Sequence, residues 1–216
     1  MEYRFDIEQG TTEWHKIKHG VIGGTRAKGL FIKSDTLFYE LLAEYIEEFD
    51  EDNDDSYQSE AMLRGTELEP EARIELSKYT GIEFVECGFI KNDLPILGIS
   101  PDGISKDFSI QCEIKCLSAK NHLKVCVTAD IPLEYIPQCI HAFTVNTALE
   151  SIYFISYRPE SIKPMFVKEL KRDSLVNIGT NARPVSMSVN DCVQIAKTEA
   201  VRLDLEIKNT INLLKY

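Results

Sequence analysis

Residues 99 to 116 read Ile-Ser-Pro-Asp-Gly-Ile-Ser-Lys-Asp-Phe-Ser-Ile-Gln-Cys-Glu-Ile-Lys-Cys, and the fold turns on how they are read. The second half alternates as a strand does, sending Cys112, Ile114 and Cys116 to one face and Glu113 and Lys115 to the other. An apolar face thus backs a polar one. Ahead of it, Pro101-Asp102-Gly103 reads as a turn after the apolar run Leu97-Gly98-Ile99, and the intervening gap is about a hairpin long. Asp102 can therefore come alongside Glu113 and Lys115. Carboxylate oxygens suit Mg²⁺ or Mn²⁺, which keep several waters and accept phosphate oxygens in the remaining positions. A lysine beside such an ion can orient a water, take its proton if its own pKa is lowered, or steady the charge on a phosphate. Each half alone has an ordinary reading. A Glu-x-Lys pair on a solvated strand is commonly a surface ion pair worth under about 1 kcal/mol, and Pro-Asp-Gly is a common turn. The combination points to phosphodiester chemistry.

The rest of the chain bounds the setting. Its 216 residues suffice for one sizeable core and read as a single domain, 1–216. Hydrophobic content of 44% and charged content of 27% are ordinary for a globular protein, and no apolar run approaches the roughly 20 residues that cross a bilayer. No membrane association is expected. The N-terminal residues lack a basic segment followed by an apolar one, so a cytoplasmic protein is expected. Six scattered cysteines (87, 112, 116, 126, 139 and 192) fit reduced, mostly buried thiols, and their spacing gives no reason to expect zinc or an iron-sulfur cluster.

A net charge of −11 looks wrong for a protein that binds a polyanion. Much of it sits in Glu44 to Asp55, which reads as a helix end and a solvated acidic loop without the pattern of a calcium loop. Local basic surface for DNA is sought in Lys16, Lys18, His19, Arg26 and Lys28, with Lys120 and Lys124 after the Glu-x-Lys strand.

Apolar periodicity predicts helices over Thr12 to Lys18, Ser34 to Phe49, Ser59 to Tyr79, Ser118 to Val127, Leu133 to Leu149 and Val189 to Leu214. Met62, Leu63, Leu68, Ala72 and Leu76 are the expected buried side of the third, with Pro70 marking a kink or restart and Gly81 its end. Gly20 to Arg26 reads as a Gly-rich turn or as a loop leading a helix whose N–H groups and Thr25 could meet a phosphate. Three antiparallel strands are expected within 82–115, then strands at Ser151 to Tyr157 and Met165 to Leu170. This order implies an α/β sandwich whose central mixed β-sheet is flanked by helices.

Five ordered stretches carry a family resemblance: Glu8 to Thr25 (Glu-Gln-Gly-Thr-Thr-Glu-Trp-His-Lys-Ile-Lys-His-Gly-Val-Ile-Gly-Gly-Thr), Arg64 to Arg73 (Arg-Gly-Thr-Glu-Leu-Glu-Pro-Glu-Ala-Arg), Ser100-Pro-Asp-Gly103, Cys112-Glu-Ile-Lys-Cys116 and Tyr135-Ile-Pro-Gln138. With them the chain resembles the phage lambda exonuclease family, or YqaJ-like viral recombinases, within the PD-(D/E)xK nucleases, over about Glu8 to Arg158. The resemblance implies a restriction-endonuclease-like core. It also implies that Asp102, Glu113 and the backbone carbonyl of Ile114 hold one or two Mg²⁺ (or Mn²⁺) ions, and that Lys115 positions or deprotonates the attacking water. Glu69 would hold a metal directly or through water, a choice that the residues alone leave open among Glu67, Glu69 and Glu71. Gln138 would orient Lys115 or the water, while Lys18 and Thr25 match positions binding the 5′-terminal phosphate. Lysine offers there a point charge where the best-known member has an arginine fork.

The implied activity is 5′ to 3′ degradation of one strand of duplex DNA, leaving a 3′ overhang for a strand-annealing partner. The implied assembly is a homotrimeric ring, and the setting a phage or prophage protein in a bacterial cell. Two rivals remain, an endonuclease using the same metal site and a non-catalytic DNA-binding protein on the same fold. A small-molecule enzyme fits less well, because no nucleotide fingerprint or nucleophile-base pair accompanies the carboxylates.

Overall fold

The computed structural model describes residues 1–32, 34–51 and 60–215. Residues 52–55 of the acidic stretch, and Ser59, expected to begin the third helix, lie outside the described residues. The elements in chain order are β1 (Glu2–Arg4), α1 (Thr12–Lys18), a 3-10 segment (Gly24–Leu30), α2 (Asp35–Ile46), α3 (Glu60–Thr80), β2 (Phe84–Val85), β3 (Phe89–Lys91), β4 (Gly98–Ile99), β5 (Gly103–Ser105) and β6 (Ile110–Lys115). After them come α4 (Ala119–Thr128), α5 (Ile136–Val145), β7 (Ser151–Tyr157), β8 (Met165–Lys171), β9 (Leu175–Asn177), β10 (Ser186–Ser188) and α6 (Val189–Leu214). The central sheet has the order β2-β5-β6-β7-β8. It is mixed, because β6 and β7 run parallel while the other pairs are antiparallel. Parallel neighbours need a crossover, here supplied by α4 and α5.

Local chemistry explains several of these boundaries. The Thr11 hydroxyl accepts the Trp14 N–H at 3.3 Å and caps α1, an interaction worth about 1 kcal/mol. Ser34 caps α2 in the same way. α3 ends where Gly81, at φ +73°, takes the left-handed backbone that other residues resist. No restart occurs at Pro70, and α3 runs through it. The carbonyl that loses its partner, at Thr66, lies on the exposed side, where water can serve it.

The expected three strands within 82–115 are five short ones, divided between two sheets. β3 and β4 leave the central sheet and pair with β1, while β2, β5 and β6 stay in it. The β5–β6 hairpin closes through Asp107, whose carboxylate accepts the Ser105 hydroxyl at 2.6 Å and the Ser109 N–H at 3.1 Å. Phe108 stands at φ +64°, held by stacking on Tyr3 at 4.5 Å between ring centroids.

Two apolar layers cover the sheet. On one side Cys112 and Ile114 of β6 and Ile155 and Tyr157 of β7 pack on Ala72 and Leu76 of α3. On the other, Ile104, Ile152 and Phe154 meet Cys139, Ile140 and Phe143 of α5, with α6 and α2 beyond. Each large buried side chain such as Phe143 or Phe154 contributes about 1.5–3 kcal/mol. Met62 and Leu63, expected inside, are exposed, because α3 reaches the core only from Leu68 onward. Among the described residues no helix is long and apolar enough to cross a membrane.

Candidate active site

The β5–β6 register assembles the site. Gly103 pairs with Cys112, so Asp102 lies one step further along, opposite Glu113. There Asp102 Oδ2 accepts the Ile114 N–H at 2.6 Å. In an extended strand the N–H and C=O of one residue project toward the same neighbour, so the Ile114 carbonyl also faces the Asp102 side, beyond the last pair of β5. Glu113 points to the α5 side, opposite Ile114, and is only 2% exposed. The face expected from alternation to be polar is thus covered by a helix. Lys115 forms an ion pair with Glu113, and the Tyr135 ring centroid at the start of α5 lies 5.6 Å from its Nζ.

Glu69 arrives from α3. Its neighbour Arg73, one turn on, donates to it at 2.8 Å and sends Nε to the Asp102 carbonyl at 2.6 Å. Glu71 is turned away and accepts the Tyr157 hydroxyl at 2.8 Å. The structure therefore distinguishes among the acids of this stretch, as the sequence could not.

Crowding carboxylates in a buried place disfavours their charge. Burial, joined by the Asp102 charge, pushes Glu69 up to about 7 against the pull of Arg73. Burial likewise pushes Glu113 up to about 7, with Lys115 opposing and Asp102 adding to the rise. Asp102 is raised by burial, although Lys115 and the Ile114 N–H stabilise its anion. Burial alone would pull the Lys115 ammonium down, but Glu113 and Asp102 outweigh it and hold its pKa above the ordinary lysine value. A charged Lys115 can orient a water and meet negative charge on a phosphate.

Among the described residues no group of three or more His, Cys, Asp or Glu side chains is arranged to hold a metal ion as it stands. The oxygens are turned to internal partners: Glu113 to Lys115, Asp102 to the Ile114 N–H, Glu69 to Arg73. The donor set itself fits a hard cation. Mg²⁺ is commonly held by one or two carboxylates, with waters and phosphate oxygens completing its shell. Asp102, Glu113 and the Ile114 carbonyl supply such oxygens, and a cation would offset charge that the protein leaves poorly compensated.

Lys18 and Thr25 lie elsewhere, together, in a cavity of about 590 Å³ also lined by His15, His19, Arg26 and Glu44. The Lys18 ammonium lies 3.3 Å from the Trp14 ring centroid. Trp14 in turn donates from its indole to Ser100 Oγ at 2.7 Å, two residues before Asp102. A second link runs through Gln138, which packs against Gly24: a Cβ placed there would meet the Gln138 side chain at 2.9 Å. Gln138, in the first turn of α5 just after Tyr135, thus packs on the segment that leads to Thr25. Arg26, counted among basic residues free for DNA, is spent on Glu44, with one guanidinium nitrogen 2.8 Å from Oε2 and a second paired with Oε1. Sequence reasoning gave no role to Glu44 or to Arg73. For Arg73 the available signal was its i,i+4 spacing from Glu69.

The sequence matches the model of the YqaJ-like viral recombinase domain over residues 13–149. No curated protein sequence matches significantly. Two crystal structures are similar to this chain. One is LHK-Exo in complex with dAMP, at 25% identity and TM-score 0.76, covering 95% of this chain and 96% of that one. The other is the alkaline exonuclease LHK-Exo from Laribacter hongkongensis, at 25% identity, TM-score 0.75 and the same coverage. The family match spans more than half of the chain and contains Glu69, Asp102, Glu113, Lys115 and Gln138, and on that ground the protein belongs to the YqaJ-like viral recombinase family.

Proposed function

We propose that this chain is a divalent-metal-dependent exonuclease that removes nucleotides from the 5′ end of one strand of linear duplex DNA and leaves a 3′ overhang. The observation that carries the reading is the buried Glu113–Lys115 pair on the central strand β6, with Asp102 and Glu69 converging on it from a turn and a helix. Asp102, Glu113 and the Ile114 carbonyl would hold Mg²⁺ or Mn²⁺, one ion or two, with Glu69 as a further ligand or water partner. When bound, such a cation supplies activation of water and neutralisation of phosphate charge. Lys115 orients the water and meets the negative charge that develops on the phosphorus oxygens. Gln138, in the first turn of α5 and packed against Gly24, orients Lys115 or the water. Tyr135 and α5 close the Glu113 face and keep bulk water from it.

The exonuclease is favoured over an endonuclease by the Lys18–Thr25 cavity and its link to the Asp102 turn through Trp14–Ser100. A terminal phosphate in that cavity would set the distance from the chain end to the cleaved bond. The dAMP held by the similar exonuclease is the kind of mononucleotide that such cleavage releases. A homotrimeric ring, a single-strand-annealing partner and action in the cytoplasm of a phage-infected bacterium complete the proposal. Size-exclusion chromatography with light scattering tests the trimer. A 5′-labelled linear duplex digested in Mg²⁺, with a closed circle as control, tests the reaction: labelled mononucleotides and an intact circle are expected, and cutting of the circle would favour the endonuclease.

A further inference from the structure

We propose that Arg73 is a positioning residue that fixes α3 and the Asp102 turn relative to each other, and so sets the separation of Glu69 and Asp102 that a divalent cation would need; this rests on the metal-dependent reading above. The Arg73 side chain is 11% exposed and its guanidinium reaches three separate segments. One terminal nitrogen donates to Glu69 at 2.8 Å, the other to Glu86 at 2.5 Å, and Nε donates to the Asp102 carbonyl at 2.6 Å. Only arginine offers this fork, because a lysine carries one nitrogen on a flexible stem.

The backbone is shaped around it. Gly103 follows Asp102, and a Cβ there would stand 3.3 Å from Arg73 Cδ and 2.8 Å from Cys112 Sγ. The glycine therefore leaves the passage through which the arginine stem reaches the turn. Glu69 and Asp102 repel each other, and the fork holds Glu69 beside the Asp102 turn against that repulsion. Outer partners of this kind typically govern metal affinity by about 10- to 100-fold.

The test is Mn²⁺ binding to the DNA-free protein, read as loss of the free-ion paramagnetic resonance signal, for the native chain, Glu113→Gln, Arg73→Lys and Glu86→Gln. Circular dichroism reports folding, and affinity for a 5′-phosphorylated duplex in EDTA reports the DNA surface. The native chain should bind Mn²⁺ and Glu113→Gln should lose it. Arg73→Lys should stay folded, keep its metal-free DNA affinity and bind Mn²⁺ about tenfold or more weakly. Native Mn²⁺ affinity in folded Arg73→Lys would mean that the arginine is a structural staple and would overturn the inference alone. Should Arg73→Lys fail to fold, Glu86→Gln, at an exposed position, asks the same question: about a twofold weakening is expected from releasing one arm, and native affinity overturns the inference. If the native chain binds no Mn²⁺ and Glu113→Gln cleaves DNA normally, the metal-dependent reading falls and Arg73 falls with it.

Discussion

Glu44 and Glu113 are both carboxylates withdrawn from water, yet they are held in opposite ways. Burial raises both, but in Glu44 the paired Arg26 guanidinium and the Gly20 N–H overcome it, and the carboxyl sits below its ordinary value. Glu113 has a lysine and is nevertheless pushed up to about 7, because its burial is deeper than Lys115 can offset and the Asp102 and Glu69 charges add to the rise. One region matches each buried anion with a cation. The other gathers three carboxylates around Lys115 and Arg73, and Arg73 also serves Glu86. The lesson is that a buried ion pair does not by itself mark a site. A local excess of acid over base, unfavourable for folding unless something else brings positive charge, does.

Substitution in the acid-rich region is the harshest way to break this contrast. Glu113→Gln and Lys115→Ala should each lower the rate of linear duplex digestion by roughly 10²- to 10³-fold or more while the protein stays folded. Arg26→Ala, in the balanced region, should show itself mainly in thermal melting and slow digestion far less, through the cavity that Arg26 lines. Equal losses of rate in both regions would erase the distinction.

Mg²⁺ sharpens the same contrast through pH. Burial and mutual repulsion raise the Glu69 and Glu113 carboxyls to about 7, so the cluster holds more protons at pH 6 than at pH 8. A raised carboxylate favours the folded state as pH falls from about 7 toward the unfolded value near 4.3, and disfavours it above. Mg²⁺ should therefore stabilise the protein more at pH 8 than at pH 6. At a hundredfold excess over its dissociation constant the gain is about 2.7 kcal/mol, or roughly 5–10 °C in melting temperature. An equal shift at both values, or one surviving in Glu113→Gln, would separate the metal from this cluster.

Lys18→Ala addresses the cavity side. It should reduce the preference for a 5′-phosphate over a 5′-hydroxyl end by about tenfold or more, with the Mg²⁺ shift unchanged. Full retention of that preference would move the terminal phosphate elsewhere.

The long periodic elements were legible in the sequence. Thr12–Lys18, Ser151–Tyr157 and Val189–Leu214 appear with the bounds that capping and apolar spacing predict. The division of residues 82–115 was not, because strands of two or three residues carry no period and their sheet is chosen by distant partners such as β1. Nor was the burial of Glu113. Alternation separates two faces of β6 but does not say that α5 covers the polar one. The candidate site was legible as a pattern, in Pro-Asp-Gly and Glu-Ile-Lys, while telling Glu69 from Glu71 needed the fold that brings the first near Asp102 and turns the second to Tyr157.

The smallest effect concerns His141, a buried group whose role is structural. Its Nε2 lies 2.8 Å from the Ile22 carbonyl and 2.9 Å from that of Gly98, tying the segment after the Lys18 cavity to β4 and α5. Burial holds its pKa below the ordinary histidine value. The unfolded chain therefore takes up the proton first, and the stability from this residue, present above about pH 6.5, is lost as pH falls toward the lower folded value. In urea titrations the pH slope below 6.5 should differ between the native chain and His141→Gln by up to about 1.4 kcal/mol per pH unit. Identical slopes would mean that His141 takes up its proton without cost.

The most direct measurement of the central claim is digestion of a linear duplex labelled at one 5′ end, with a phosphate or a hydroxyl there, in Mg²⁺ and in EDTA, by the native chain and by Lys115→Ala. The account predicts labelled mononucleotides released first, faster from the phosphorylated end, only with Mg²⁺ and not by the variant. Release that persists in EDTA or in Lys115→Ala would contradict it.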